Sequence, residues 1–291
     1  MIDMTLKTYQ EKLDMRLDML LNESESHYKS VIDSARYSIF AGGKRIRPVL
    51  LLEFYKLFGK NDDCAYNFAC AIEMIHTYSL IHDDLPCMDN DDMRRGKPSN
   101  HKKYGEALAL LTGDSLLTES FGVASRTMGI DAEYVAKAIT YLSANAGISG
   151  MIGGQVIDTC GDFEITEDLL YEIYSLKTSA LIKAACGCGA ILAGADDDSF
   201  SKVEVFAEKL GLAFQIIDDI LDRVGNEEKL GKPVGSDLKN QKITIVDILG
   251  IDESRQRAKD LTDDAIGILD SFEGDTTTLK EITNYLLVRD Y

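Results

Sequence analysis

The stretch 73–98, EMIHTYSLIHDDLPCMDNDDMRRGKP, decides the fold of this chain together with the stretch 214–222, FQIIDDILD. Each stretch places clustered aspartates inside a strongly apolar helical pattern. Removing an unpaired ionised carboxylate from water is very costly, so these aspartates require partners. Divalent cations that also bind a phosphate ligand would be suitable partners for these carboxylates. Mg²⁺ in particular takes one or two carboxylates together with phosphate oxygens and waters.

The two clusters differ in how they bring carboxylates together. Pro86 disfavours helix beyond Leu85, so Asp83 and Asp84 are predicted to end a helix. Asp89 would point about 240° away from Asp83 on an ideal helix, so a loop over 89–98 is needed to return it toward the same metal. In the second cluster Asp218 and Asp222 have i,i+4 spacing, which places them on one helical face without such a loop.

The rest of the chain continues the helical pattern. Apolar residues recur at three- and four-residue spacing, and sustained alternation typical of strands is absent. Helices are predicted over 66–84, 107–128, 132–148, 169–192 and 202–221, and a further helix is predicted to end at Phe40 before Pro48 opens the next. We therefore expect an all-α bundle of about ten or more helices. Since no linker, repeat or low-complexity segment interrupts the chain, one domain over 1–291 is predicted.

Composition narrows the partners and the location. With 49 Asp and Glu against 31 Lys and Arg, the formal net charge is −18. This charge opposes binding to nucleic acid and to anionic membranes. The N-terminus lacks a signal-peptide pattern, and the apolar region 179–195 is too short to span a bilayer. The six cysteines form no disulfide framework, so free thiols in a reducing cytoplasm are predicted, without stable membrane insertion.

Because the chain is so acidic, it could bind a phosphate-bearing ligand only where cationic side chains are clustered. The stretch GGKRIRP (42–48) lacks the spacing of a P-loop, but it carries three cations into a helix start, a reasonable anion site. Arg94 and Arg95 match phosphate oxygens bidentately, or they balance the neighbouring aspartates. His76 lies one heptad before Asp83 and therefore on nearly the same helix face, which makes it a candidate site residue. A lone histidine, however, is more often a core residue. Further candidates, none convincing singly, are Gln155, Asp158, Lys177, Thr178, Lys232 and Lys242.

Taken together, these elements resemble the trans-isoprenyl diphosphate synthases, also called polyprenyl synthetases. The matching stretches run in the family's order from about residue 40 to 245. They are GGKRIRP (42–48), the stretch 73–98, GDSL (113–116), GGQVID (153–158), LKTSALI (176–182), FQIIDDILD (214–222) and GKPVGSD (231–237). The second cluster, DDILD, favours chain elongation, because terpene cyclases of the same fold carry an Asn/Ser/Glu triad there.

The resemblance implies an isoprenoid-synthase helical bundle around a central cavity and a homodimer. It also implies Mg²⁺-dependent, head-to-tail condensation of an allylic diphosphate with isopentenyl diphosphate. By position, Asp83, Asp89 and Asp218 would be the direct ligands of Mg²⁺, with three ions per active site. Asp84, Asp219 and Asp222 would support them through water or hydrogen bonds.

The same resemblance assigns the basic and polar residues. Arg94, Lys177 and Lys232 would hold the allylic diphosphate. The diphosphate of isopentenyl diphosphate would be held by Lys44, Arg47, His76 and Arg95. Thr178 and Gln215 would line the reacting carbons, so Lys177, Thr178 and Gln215 are the residues assigned to catalysis. The segment 226–240 would act as a lid that excludes water.

Product length is the least determined property. In the family, bulky residues four or five positions before the first aspartate form the floor of the product tunnel, here Ser79 and Tyr78. Tyr78 lies about 7–8 Å down the helix from Asp83, which suits a short prenyl chain and favours farnesyl diphosphate. A geranylgeranyl diphosphate synthase is the alternative. A silent partner subunit and a simple acidic ion binder fit less well, because both aspartate motifs and the basic set are intact.

Overall fold

The structure is a computed structural model that describes residues 2–22, 25–224 and 242–288. Its elements in chain order are α1 (Ile2–Leu20), α2 (Lys29–Ile39), α3 (Ile46–Leu57), α4 (Tyr66–Asp83), β1 (Met93–Arg94), β2 (Lys97–Pro98), α5 (Asn100–Tyr104), α6 (Glu106–Ser125), α7 (Ala132–Ala146), α8 (Met151–Cys160), α9 (Glu167–Ile173), a π-helical turn (Tyr174–Ser179), α10 (Ala180–Ala193), α11 (Asp197–Val224), α12 (Ile245–Leu249), α13 (Ile251–Leu269) and α14 (Thr277–Val288).

The predicted all-α class is confirmed, with two differences of detail. Within the described ranges, strand structure is confined to the antiparallel hairpin of β1 and β2, inside the segment predicted as a loop. The predicted helix 169–192 is continuous but contains the π-helical turn, which apolar spacing does not reveal. The single-domain organisation stays a prediction.

Helix α4 lies at the centre of the bundle. It packs against α3, α6 and α10, and most of its residues are buried on every side, as expected of a helix that is apolar all round. It ends at Asp83, with Asp84 as its C-cap residue, so the helix stops before Leu85 and Pro86 as predicted. The first aspartate cluster therefore starts from the interior of the protein.

The apolar region predicted to be too short for a membrane span belongs to a longer helix. Residues Glu167–Ala193 form 27 helical residues that satisfy the length and composition of a span. However, 72% of the most apolar window is buried within the chain, chiefly against α3, α7 and α11. Such burial fits a core helix, in which neighbouring helices cover the apolar surface.

One cation of the basic stretch 42–48, Arg45, lies in the core of the protein. Arg45 has a left-handed backbone (φ +53°) and is buried. Its guanidinium forms ion pairs with Glu73 at 2.6 Å and Asp14 at 2.9 Å and donates to the Ile39 carbonyl at 2.6 Å. Arg45 thus joins α1, α3 and α4, and its role is to hold these helices together.

We expect Arg45→Met to lower the free energy of unfolding by about 3–5 kcal/mol, because it leaves the buried Glu73 carboxylate unpaired. Urea denaturation would measure the change. Arg126→Met is the matched control, since Arg126 pairs with Glu119 at the surface with both side chains more than half exposed; that change should cost about 1 kcal/mol or less. Equal effects of the two variants would contradict the structural role of Arg45.

Candidate active site

An apolar cavity of about 530 Å³ lies beside the C-terminal half of α4. Its walls come from α6, α8, the π-helical turn and α10, through Leu110, Leu117, Met151, Ile152, Val156 and Leu181. Asp83, Lys177 and Thr178 lie on the lining of the same cavity. Charged groups and a largely hydrocarbon wall therefore share one enclosure, which suits a ligand with a polar head and an apolar tail.

Both predicted floor residues line this cavity. The Tyr78 side chain is 5% exposed, and its ring meets the His82 ring edge-on at 5.7 Å between centroids. Burial, followed by the charge of Asp83, raises the pKa of Tyr78 to about 12, so the phenol stays neutral. Ser79 is half-buried, and its hydroxyl donates back to the His76 carbonyl at 2.9 Å. Tyr78 therefore fills space in the cavity, whereas Ser79 leaves it open.

A second, basic cavity of about 870 Å³ adjoins the first and shares Arg47 and His76 with it. Lys44 and Arg95 line it as well, so the four residues assigned to isopentenyl diphosphate lie around one space. Burial, and then Arg47 and Arg95, lower the pKa of His76 well below its usual value, which leaves the imidazole neutral at pH 7. Five cationic side chains line the cavity in all, together with two carboxylates and this neutral hydrogen-bonding ring.

The first aspartate cluster folds back on itself as predicted. The backbone N–H of Asp89 donates to the Asp83 carbonyl at 2.9 Å, so the loop after Pro86 returns Asp89 to the end of α4. Asp84 is buried and accepts two hydrogen bonds from the Arg94 guanidinium, which also approaches Asp91 at 3.5 Å. Both sequence interpretations of Arg94 thus stay open, because it balances Asp84 while lying beside the site.

Residues of α8 and of the π-helical turn, together with Lys242, surround the first aspartate cluster. The Gln155 amide on α8 donates to Asp83 at 3.0 Å, and Asp158, one helical turn further, pairs with Lys177 at 2.7 Å. Lys242 bridges Asp158 at 3.3 Å and Asp89 at 3.2 Å. Although burial works in the opposite direction, Lys177 and Lys242 lower the pKa of Asp158. Gln155, Asp158 and Lys242 were weak candidates singly, and their convergence makes them part of the site.

The cluster still carries more negative charge than its fixed cations offset. Burial raises the pKa of Asp83 to about 6, with Asp89 and Asp84 acting in the same direction against Lys177 and Arg94. Additional positive charge would relieve this repulsion, and the donors are hard oxygens of the kind Mg²⁺ prefers. Among the described residues, no three His, Cys, Asp or Glu side chains group closely enough to hold a metal alone. The residues present therefore fit Mg²⁺ that shares its coordination with ligand phosphates.

The second cluster lies on α11 within a chain of hydrogen bonds. The Thr178 hydroxyl donates to the Gln215 amide oxygen at 2.6 Å, and the Gln215 amide nitrogen donates to Asp219 at 2.9 Å. Asp219 also accepts from the Tyr174 hydroxyl, which in turn accepts the backbone N–H of Ile245 at 3.0 Å. Tyr174 was not identified from the sequence, since a tyrosine within a helical pattern resembles an ordinary core residue.

Asp218, Asp219 and Asp222 share α11 as predicted, with Asp218 half-buried and the other two buried. The two clusters are connected through neighbouring residues of the π-helical turn. The positive charge of Lys177 opposes the burial that raises the pKa of Asp83, and Thr178 donates a hydrogen bond to Gln215, three residues before Asp218. Lys232 and the predicted lid 226–240 lie outside the described residues.

Two glycines let the neighbouring helices approach the π-helical turn. A Cβ at Gly154 of α8 would lie 2.3 Å from the backbone nitrogen of Lys177, and a Cβ at Gly211 of α11 would lie 2.3 Å from the Ser179 hydroxyl oxygen. Real Cβ atoms are not found this close to such atoms. Close contact of α8 and α11 with the turn is therefore what holds Lys177 and Thr178 between the two aspartate clusters.

Comparison with known proteins places these features in one family. The polyprenyl synthetase family model matches residues 29–286. A farnesyl diphosphate synthase of Bacillus subtilis is 40% identical, over 100% of this chain and 95% of that protein. A geranylgeranyl diphosphate synthase of Cyanophora paradoxa is 45% identical, over 89% of this chain and 88% of that protein.

A solved structure agrees with this relationship. The geranyltransferase from Helicobacter pylori, complexed with magnesium and isoprenyl diphosphate, superposes with a TM-score of 0.86 at 34% identity. The alignment covers 97% of this chain and 95% of that one. The likeness therefore extends over almost the whole length of both chains.

We expect Gly154→Ala to lower the free energy of unfolding by about 1–3 kcal/mol, because the Lys177 backbone cannot yield as a flexible side chain would. Gly267→Ala on α13 is the matched control, since nothing lies within 4 Å of a Cβ there. That change should raise the free energy of unfolding by about 0.5–1 kcal/mol through helix propensity. Urea denaturation would compare them, and stabilisation by Gly154→Ala would contradict the close approach.

Proposed function

The chain belongs to the polyprenyl synthetase family and is a prenyltransferase, and we propose that it condenses an allylic diphosphate head to tail with isopentenyl diphosphate to give farnesyl diphosphate. The reaction joins the allylic carbon to the isopentenyl double bond and releases pyrophosphate and one proton. Dimethylallyl and geranyl diphosphates are the proposed allylic substrates.

One observation carries this proposal above the others. The apolar cavity and the basic cavity meet at Arg47 and His76, and Asp83 lines the apolar one. An allylic tail fits the apolar cavity, with its diphosphate at the aspartates, while the basic cavity accepts the second diphosphate. An acidic ion binder would need neither the hydrocarbon wall nor the basic space.

The chemistry requires stabilisation of a leaving group. Breaking the allylic carbon–oxygen bond leaves an allyl cation and a pyrophosphate with concentrated negative charge. Asp83, Asp89 and Asp218 would hold Mg²⁺, which would supply positive charge that stabilises the leaving pyrophosphate. Asp84, Asp219 and Asp222 would support this site through water or hydrogen bonds, as Asp84 does with Arg94 and Asp219 with Gln215.

The chain's own cations act on the same oxygens. Lys177 and Arg94, with Lys232, hold the allylic diphosphate so that its first carbon faces the isopentenyl double bond. Lys177 now pairs with Asp158 at 2.7 Å, and a bound diphosphate would draw its ammonium group toward the new negative charge. Thr178 and Gln215 fix the polar edge of the space in which the carbons react.

Carbon–carbon bond formation and proton loss depend more on excluding water from the cavity than on a base supplied by the protein. The isopentenyl double bond attacks the allyl cation, and the resulting tertiary cation loses a proton to the departing pyrophosphate. Water would quench either cation, and the side chains of α6, α8 and α10 exclude it from the apolar cavity. His76 remains neutral and donates its ring N–H to an oxygen of the second diphosphate.

Tyr78 supports a C15 product. Its buried side chain lines the cavity about 7–8 Å along α4 from Asp83, a depth that suits a short prenyl chain. A C20 product is the second candidate, because relatives named geranylgeranyl diphosphate synthase are as similar to this chain as those named farnesyl diphosphate synthase. Chromatography of the products formed from labelled isopentenyl diphosphate decides between them. A homodimer and a cytoplasmic location remain predictions from the sequence.

We expect Asp83→Ala to lower kcat by at least about 100-fold, since it removes an anchor for the charge that stabilises the leaving pyrophosphate. Pyrophosphate release with geranyl and isopentenyl diphosphates at saturating Mg²⁺ measures the effect, and circular dichroism checks folding. Asp263→Ala, at an exposed helical pair with Lys259, is the control and should retain full activity. Activity of the Asp83 variant within a few-fold of wild type would exclude Asp83 as a metal ligand.

We expect Tyr78→Ala to lengthen the product by at least one isoprene unit, because it removes a ring from the end of the cavity. Tyr78→Phe retains the ring volume and should keep the wild-type product. Chromatography of the dephosphorylated products compares the three proteins. If the alanine variant still stopped at the wild-type length, Tyr78 would not form the floor.

A further inference from the structure

The histidine next to the first aspartate cluster, His82, has no role in the proposed reaction. It lies on α4 one residue before Asp83, and its side chain lines the apolar cavity together with that of Tyr78, one helical turn earlier. The two rings meet edge to face at 78°, with 5.7 Å between their centroids. His82 is therefore in contact with the residue that is proposed to form the floor of the cavity.

The Tyr78 ring is held by packing and not by a hydrogen bond. Its hydroxyl oxygen is buried and has no hydrogen-bond partner among the residues that the structure describes. A ring without a polar anchor keeps its place only as long as the side chains packed against it keep theirs. Edge-to-face contact is a favoured arrangement of aromatic rings, so the position of Tyr78 depends in part on the position of His82.

His82 itself is anchored to the neighbouring helix α6. Its Nε2 lies 3.0 Å from the backbone carbonyl oxygen of Leu110. A carbonyl oxygen only accepts, so Nε2 carries the proton and donates this hydrogen bond. The same nitrogen lies 3.9 Å from a carboxylate oxygen of Asp114, an exposed residue one turn further along α6. These contacts fix the imidazole between α6 and the Tyr78 ring.

The imidazole fits against α6 because residue 113 is a glycine. A Cβ at Gly113 would lie 2.1 Å from Nε2 and 2.4 Å from Cδ2 of His82, closer than real Cβ atoms approach other atoms. Gly113 is buried within α6, where α6 packs against α4. Glycine inside a helix is less stable than alanine, so the missing side chain is explained by the space that it leaves for the imidazole.

We propose that His82 is a positioning residue for product length, which rests on α6 at Gly113 and holds the Tyr78 ring in the place where it limits the growing chain. The inference rests on the proposed function, because it takes a growing prenyl chain as the ligand of the apolar cavity. It divides the floor between two residues: Tyr78 supplies the bulk, and His82 keeps that bulk in place.

Product analysis separates this role from a general contribution to folding. Wild type and variants are incubated with geranyl diphosphate and labelled isopentenyl diphosphate, and the dephosphorylated products are separated by chromatography. For His82→Ala we expect the ratio of the next longer product to the wild-type product to rise about 2- to 10-fold, the factor that corresponds to one aromatic contact. His27→Ala is the control and should leave the ratio unchanged, since His27 is exposed and does not line the cavity.

Two double-mutant cycles locate the effect. In the Tyr78→Ala background His82→Ala should lengthen the product no further, because the ring through which it acts is absent. Gly113→Ala should shift the ratio at least about 2-fold in the wild-type background, where its Cβ displaces the imidazole from the Tyr78 ring. In the His82→Ala background the same Cβ meets no ring and should leave the ratio unchanged.

Further variants guard these comparisons. Gly122→Ala on the same helix is the control for Gly113→Ala, because a Cβ there would lie 3.7 Å from its nearest neighbour, and its products should match wild type. Circular dichroism checks the folding of each protein. If His82→Ala does not fold, His82→Gln replaces it, since glutamine can still donate to the Leu110 carbonyl but has no ring to pack against Tyr78, and the same rise in the ratio is expected.

Four results would overturn the proposal. They are an unchanged product ratio in His82→Ala, a further rise when that change is combined with Tyr78→Ala, an equal shift by Gly113→Ala with and without the imidazole, and a product of wild-type length from Tyr78→Ala itself. Failure of the proposed function looks different, because the wild-type protein would then form no prenyl product from the two substrates.

Discussion

Burial of several carboxylates at the end of an apolar central helix is the constraint on which the rest of the structure depends. Asp83 and Asp84 are carried to the interior because α4 is surrounded by other helices. Arg94 neutralises Asp84, but the charge around Asp83 and Asp89 is only partly offset, and the pKa of Asp83 is raised to about 6. Such a site is poised to take up cations and phosphate together, because each relieves the charge that the other introduces.

The π-helical turn connects the first aspartate cluster with the second, because it contacts residues beside both. Within this turn Lys177 forms an ion pair with Asp158 beside the first cluster, and Thr178 donates a hydrogen bond to Gln215 near the second. Gly154 and Gly211 allow α8 and α11 to press against the turn from two sides. The same short segment therefore packs closely against α8 and α11 and carries both Lys177 and Thr178.

Helical periodicity predicted the main helices well, and Pro86 correctly marked the end of α4. The family resemblance assigned four residues of two separate motifs to one ligand, and the structure places all four around one cavity: Lys44, Arg47, His76 and Arg95. What could not be predicted depends on long-range geometry. Tyr174 and the π-helical turn have no local signature, and the core role of Arg45 follows from Glu73 and Asp14 on two other helices.

The basic cavity is walled by the first and the last described helices, through Leu6 and Lys7 of α1 and Tyr285 and Leu286 of α14. A ribosome makes these two helices more than 250 residues apart. A nascent polypeptide that has not yet released α14 from the exit tunnel therefore has its aspartate motifs but an unfinished anion pocket. The basic cavity is therefore complete only once the last described helix has left the exit tunnel and packed against the rest of the chain.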